Sequence, residues 1–345
     1  MSNYFEYHDK VAFHPGYYIM EMIEEEGLTQ EEFAGRLGTT PKNLSLLVRG
    51  EQRLSIDMAM KLSRLTGSNV SYWLNLQNQY DALLAEQMSE EEMSEERSVL
   101  DRLDCQQFAE VYGLPDLQRK KDQQIVRIRE YLKVASLTIL QKRDLSAGFR
   151  SPGTDISEQR TIRANAVLRA AVNRALAEVK QQPVPKYSKT RFRKEALQAL
   201  SCSINPGPVY PLLHQSFLDA GVIFLLFPIL PGSKVCGASK KIGSQVLLML
   251  SEDCLAPEVF WFRLYWEIGN ILTGNYGISF QGDPETGKSA AFRFAEDSLV
   301  SPAPYQDFVS RKQFDDASVR SFAEQIGRAP EIVQGRLRRD GLISK

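Results

Sequence analysis

The sequence predicts a mainly α N-terminal domain of five helices, a helical connecting region, and an α+β C-terminal domain. Three observations carry this reading. Apolar residues recur with helical period from Pro15 to about Ala85, and Gly27, Gly38, Gly50 and Gly67 punctuate them like the C-caps of short successive helices. The runs 221–227 and 245–250 are short, dense in β-branched, Leu and Phe residues, and bounded by Gly, Pro or Ser, the signature of buried strands. Pro257 stands where proline best opens a helix, ahead of an apolar segment reaching Leu272.

With 345 residues and 43% apolar content, the chain has enough material for more than one core. Composition divides it into 1–87, 88–190 and 191–345. The acidic segment Met88 to Glu96 reads as a solvated helix or linker and sets the first boundary. Helices follow between Leu117 and Lys180, including the Ala- and Arg-rich run Arg160 to Val179, until Pro183 and Pro185 interrupt them. A further helix is expected from about Tyr210 to Ala220. The net charge of -1 hides an uneven distribution, basic from Arg36 to Arg64, acidic from Glu86 to Glu110, and basic again from Arg119 to Lys194. Cys105, Cys202, Cys236 and Cys254 form no C-x-x-C pair, so neither a zinc knuckle nor a redox motif is indicated. The segment Met1 to Lys10 lacks an apolar signal core, and no stretch approaches the roughly 18 apolar residues of a membrane span, so a cytoplasmic protein without a membrane partner is expected.

The stretch Thr29 to Gly50 is the most informative. Thr29 and Glu32 make a capping box, and Phe33, Ala34 and Leu37 give the helix it opens an apolar face. Ala34 is small enough for a close helix crossing, and Gly38 permits the left-handed backbone of a sharp turn. Thr40 then caps a second helix with Pro41 at its first position. On that helix Leu44, Leu47 and Val48 face inward, leaving Pro41, Lys42, Asn43, Ser45, Leu46 and Arg49 outward. Helix, tight turn and second helix with a polar N-terminal end suit a DNA major groove, where Asn reads an adenine edge and Lys reaches a guanine. Gln30, Thr40 and Arg49 are placed to hold phosphates.

This segment resembles the XRE/Cro-type helix-turn-helix, and its flanks narrow the resemblance to HigA-type antitoxins: His14-Pro15-Gly16 before the first helix, Ser55-Ile56-Asp57-Met58-Ala59 opening the fourth, and Tyr72 to Asp81 in the fifth. Trp73 and Tyr80 read as core aromatics. The resemblance implies a homodimer that binds operator double-stranded DNA, often represses its own operon, and is often paired with a ribonuclease toxin of the HigB/RelE type.

The rest of the chain is similar to XRE regulators carrying an ImmA/IrrE-type, zincin-like domain, through Phe224 to Gly237, Phe260 to Leu272, Phe294-Ala295 with Leu299 and Pro302, and Ile332 to Leu337 with Asp340-Gly341. Enzymatic members bear H-E-x-x-H on the long helix, two histidines on one face for zinc and a glutamate that polarises the bound water. Here the place reads Trp266-Glu267-Ile268-Gly269-Asn270, and the third ligand's place falls on or next to Ala290. His8, His14 and His214 are the only histidines, all distant in sequence. The expectation is a pseudo-peptidase domain with no catalytic residue, no metal and no cofactor, in which Trp266 fills the metal cavity.

Two further motifs stand in the C-terminal part. Gly282-Asp283-Pro284-Glu285-Thr286-Gly287-Lys288-Ser289 satisfies the phosphate-loop pattern, but Pro284 removes a donor, Asp283 and Glu285 repel phosphate, and little room is left for a preceding buried strand. A surface loop is expected. The helix-turn-helix appearance of Ser318 to Leu342, with Arg336, Arg338 and Arg339, reads as a solvated face. The expected function is a sequence-specific DNA-binding transcriptional regulator of HigA-like antitoxin type. The alternatives are a ligand-sensing regulator using an apolar wall of Trp261, Phe262, Tyr265 and Trp266, and a metalloprotease.

Overall fold

The computed structural model describes residues 4–114, 120–142, 148–150, 156–204, 209–281 and 289–344. They form two compact units, 1–95 and 96–345.

The first unit opens with a feature absent from the sequence reading, an antiparallel hairpin of β1 (Tyr4–Tyr7) and β2 (Lys10–Phe13), with Tyr4 opposite Phe13. Four-residue strands carry too little alternation to be recognised. Helical partners hold them instead: Phe5 meets Tyr80 edge-on at 6.5 Å, and Lys10 pairs with Glu86 at 2.9 Å. Then follow α1 (Pro15–Glu25), α2 (Gln30–Leu37), α3 (Pro41–Val48), α4 (Ile56–Thr66) and the long α5 (Val70–Leu103). Gly27, Gly38, Gly50 and Gly67 all take left-handed backbone between these helices, as their spacing predicts. Ile19, Phe33, Leu44, Leu62 and Trp73 lie at the centre of the core.

The acidic stretch expected as a solvated helix or linker is helical throughout as part of α5, with Met88 to Glu92 exposed. Within the second unit its last glutamate, Glu96, is wholly shielded from solvent: Arg129 Nε donates to it at 2.7 Å and the Leu137 amide at 3.0 Å. Burial pushes the Glu96 carboxyl up, but these donors together bring it below the ordinary range.

The second unit continues with α6 (Cys105–Tyr112), α7 (Lys121–Leu132), α8 (Glu158–Gln181), α9 (Lys189–Gln198) and α10 (Val209–Leu218). The strands β3 (Val222–Phe227), β4 (Val235–Ile242), β5 (Gln245–Ser251) and β6 (Gly277–Phe280) form a mixed sheet in the order β3-β5-β4-β6. β3 runs parallel to β5, and the other pairings are antiparallel. The long helix α11 (Pro257–Thr273) packs on the sheet with α12 (Ala290–Leu299), α13 (Pro302–Ser310), α14 (Asp316–Gln325) and α15 (Pro330–Arg339) around it. Phe217, Phe224, Leu248, Leu264, Tyr265 and Ile268 centre this α+β core. β6 corrects one expectation, since a fully buried strand does fit between the long helix and the phosphate-loop motif. Gly282 to Lys288 of that motif lie outside the described residues, and Ser289 caps α12 by accepting from the Phe292 amide at 3.0 Å. Among the described residues no helix is long and apolar enough to cross a membrane.

Candidate functional site

In the first unit α1, α2 and α3 lock together through local chemistry. Thr29 and Glu32 form the predicted reciprocal capping box, Gly38 turns the chain at φ 62°, and Thr40 Oγ1 accepts from the Asn43 amide at 3.2 Å with Pro41 in the first turn. His14 is buried and accepts the Gly16 amide on Nδ1 at 3.0 Å, capping α1. A Cβ at Gly16 would stand 2.1 Å from the Leu47 carbonyl oxygen and 2.9 Å from that of Val48, so α1 crosses the end of α3 at backbone contact. Gln77 accepts the Leu54 amide at 2.8 Å and donates to Asp81 at 2.9 Å, and Trp73 donates to Ser68 Oγ at 2.7 Å. The flanking signature residues therefore position α3.

α3 buries Leu44, Leu47 and Val48 and turns the opposite face outward. Pro41, Lys42, Thr40 and Arg49 are exposed, and Gln30, Asn43, Ser45 and Leu46 half-buried. Asn43 donates one amide hydrogen to Thr39 Oγ1 at 3.0 Å, which orients the side chain yet leaves a second N–H and the carbonyl oxygen. Thr40 keeps its hydroxyl hydrogen, while Gln30 Nε2 rests against the Met20 sulfur at 3.9 Å.

Electrostatics depart from the reading of local composition. Arg36 pairs with Glu26 and Arg49 with Glu51, at 2.9 and 3.0 Å, while Lys61 pairs with Asp57 at 3.0 Å and Arg53 with Asp81. Residues 1–95 hold seven Lys or Arg against sixteen Asp or Glu, so most of their cations are neutralised. Among the described residues of this unit, Lys42 and Arg64 alone of the Lys and Arg side chains have no ion-pair partner. Lys42 stands on the outward face of α3.

Residues 19–73 match the Helix-turn-helix family. An uncharacterized HTH-type transcriptional regulator of Escherichia coli (strain K12), YddM, is 39% identical over 79 residues, which cover 84% of that protein and 22% of this chain. Virulence-associated protein I of Dichelobacter nodosus is 34% identical, covering 71% of its length and 22% of this chain. The chain belongs to the XRE-type helix-turn-helix regulators. A solved structure of a candidate antidote protein of a plasmid maintenance system from Nostoc punctiforme is 27% identical, with 92% of that chain and 24% of this one covered at a TM-score of 0.24.

The second unit of this regulator holds the place where sequence reading sought metal ligands. Glu267 is 2% exposed on α11. Arg150 Nη1 reaches both of its carboxylate oxygens, at 2.7 and 2.6 Å, and donates to Ser279 Oγ at 2.7 Å; Ser279 donates in turn to Glu267 at 2.6 Å. Arg150 also donates to Ser239 and, through Nε, to the Asn275 carbonyl at 3.0 Å. The segment carrying it pairs with β6, Gly148 accepting from and Arg150 donating to Ile278, both at 3.1 Å. Gly237 makes room, because a Cβ there would meet the Glu267 carboxylate at 3.0 Å.

Arg150, not Trp266, therefore takes the space against Glu267. Trp266 is half-buried beneath the Arg263 guanidinium at 4.9 Å. Asn270 accepts from Asn275 at 3.0 Å, and Gly269 lets α12 approach so closely that a Cβ would lie 2.8 Å from Ala291. Among the described residues no three His, Cys, Asp or Glu gather as a metal would require. A carboxylate already committed to a guanidinium and a serine does not suit zinc chemistry. Nothing local announces Arg150, which lies 117 residues from Glu267 in sequence.

Two other expectations change. Trp261, Phe262 and Tyr265 are 5%, 3% and 0% exposed, so they line no cleft and belong to the core. The C-terminal arginines are engaged within the unit: Arg336 pairs with Glu296 at 2.9 Å, Arg338 with Glu258 at 3.6 Å, and Arg339 lies 3.8 Å over the Phe262 ring. Cys236 and Cys254 are buried free thiols, Cys105 and Cys202 half-buried.

Proposed function

We propose that this chain is a HigA-like antitoxin that represses its own operon by reading operator DNA with α3. The observation that carries the reading is the outward face of α3, where unpaired Lys42 stands beside Asn43 and Ser45 while Leu44, Leu47 and Val48 anchor the helix. Lys42 and Asn43 meet base edges; Gln30, Thr40, Ser45 and Arg49 hold backbone phosphates, with Pro41 and Leu46 against sugar and methyl groups. Arg49 exchanges Glu51 for a phosphate on binding.

The chain acts as a homodimer whose two α3 helices enter successive major grooves about 34 Å apart. Ile56 and Met60, one helical turn apart on α4, are 68% and 41% exposed and suit burial against a second copy. A small ribonuclease of the HigB/RelE type is the expected toxin partner. The second unit is a pseudo-peptidase domain: Arg150 supplies the positive charge that a metal would bring beside Glu267, and no water is activated there.

The deciding experiment is footprinting of the upstream operator with Lys42→Ala/Asn43→Ala. Loss of the specific footprint with unchanged circular dichroism is expected; an intact footprint refutes the assignment. Metal analysis of the purified protein tests the second unit, where stoichiometric zinc would overturn the pseudo-peptidase reading.

A further inference from the structure

The second unit contains a cavity of about 630 Å³ between α6, α7, α8, α10 and the end of β3, within the usual range for small-molecule sites. Two features distinguish it from a crevice between helices. One wall is a set of mutually tilted rings: Tyr112 lies 5.4 Å from Tyr131 at 30° and 5.9 Å from Phe227 at 35°. Tyr112 is further fixed by Phe108, edge-on at 4.8 Å, and by its hydroxyl donating to the Pro228 carbonyl at 3.4 Å. Such a wall offers aromatic surface, fixed at Tyr112, for another ring.

The other wall is charged and unequally committed. Glu178 and Arg174 stand one turn apart on α8. His214 holds Glu178 Oε1 with Nε2 at 2.7 Å and contacts the Phe224 carbonyl with Nδ1 at 2.7 Å. Both ring nitrogens face oxygens, so His214 presents neither a free lone pair nor a free N–H, and acts as a strut for the carboxylate. Arg174 is exposed at the cavity and, among the described residues, has neither an ion-pair nor a hydrogen-bond partner, a planar fork of donors without an acceptor. His214 and Tyr210 also contact the Phe224 carbonyl on the open edge of β3, at 2.7 and 3.3 Å. This blocks addition of a peptide strand and favours a compact ligand.

We infer that this cavity binds a small aromatic carboxylate, its ring stacked on Tyr112 and Tyr131 and its carboxylate held by the Arg174 fork. Glu178, tied back by His214, sits one helical turn away and repels a carboxylate that misses Arg174, which orients the ligand. The site is independent of α3 and of Glu267.

Calorimetric titration of the full-length protein with benzoate, phenylacetate and indole-3-acetate tests the inference against benzamide and phenethylamine, which keep the ring but replace the anion by a neutral or cationic group. Saturable binding of at least one carboxylate, absent or at least tenfold weaker for both controls, is expected. Arg174→Gln weakens that binding tenfold or more without changing the melting temperature of the free protein, and Arg174→Lys, which keeps charge but loses the fork, is intermediate. Tyr131→Leu weakens it while Tyr131→Phe does not. No saturable binding of any carboxylate at millimolar concentration, equal binding of the amine, or binding indifferent to Arg174→Gln overturns the assignment.

Discussion

Removing the Arg150 guanidinium is expected to be among the most damaging single changes in the second unit. Its side chain is 7% exposed and that of Glu267 2%, so the pair lies out of water. Arg150→Ala strips a bidentate partner from a buried carboxylate and leaves Ser239, Ser279 and the Asn275 carbonyl without their donor. Breaking a buried pair on one side costs about 3–5 kcal/mol, because the remaining charge stays desolvated and unpaired. For a unit of this size that is a fall of roughly 6–20 °C in melting temperature. Arg150→Met combined with Glu267→Met leaves no orphan charge and should be less destabilised than Arg150→Ala alone. Calorimetry follows the transition of this unit, and fluorescence of Trp261 and Trp266 in a Trp73→Phe background, where no tryptophan of the first unit remains, identifies it. An Arg150→Ala protein within about 1 kcal/mol of the parent, or a double variant as unstable as the sum of its single substitutions, refutes the view that this charge pair organises the site.

Gly16→Ala places a methyl carbon against two backbone oxygens of α3, which cannot rotate away, so a loss at or above the usual 1–3 kcal/mol (about) for overpacking is expected, with weaker operator binding; an unchanged melting temperature would contradict it. His14 has its pKa lowered by burial, partly offset by Asp81 and the Gln52 backbone. The unfolded chain therefore takes up a proton first, and stability of the first unit falls as pH drops below the ordinary histidine value of 6.5. His14→Asn, which keeps a capping acceptor, should flatten that dependence in melts taken across this range, and an unaltered slope counts against it. Arg49→Ala, which removes a phosphate contact, should reduce the slope of log affinity against log salt by about one per protomer, whereas Arg64→Ala, off the α3 face, should leave it unchanged.

Local sequence determined the α3 unit almost completely. Capping boxes, a proline at a helix start and left-handed glycines act over four or five residues, so Thr29, Gly38, Thr40 and Gly67 announced their roles without any partner elsewhere. The same locality let Gly221 to Phe227, Gln245 to Leu250 and the helix from Pro257 be read from short apolar patterns. What the chain's order of residues left open was everything decided across long separations. The basic surplus from Arg36 to Arg64 looked free until Glu26 and Asp81 folded back onto it, and the glutamate of the degenerate motif looked idle until Arg150 arrived beside it. Tertiary structure alone made those choices, because electrostatic pairing and desolvation depend on distance through space, and a chain records only distance along itself.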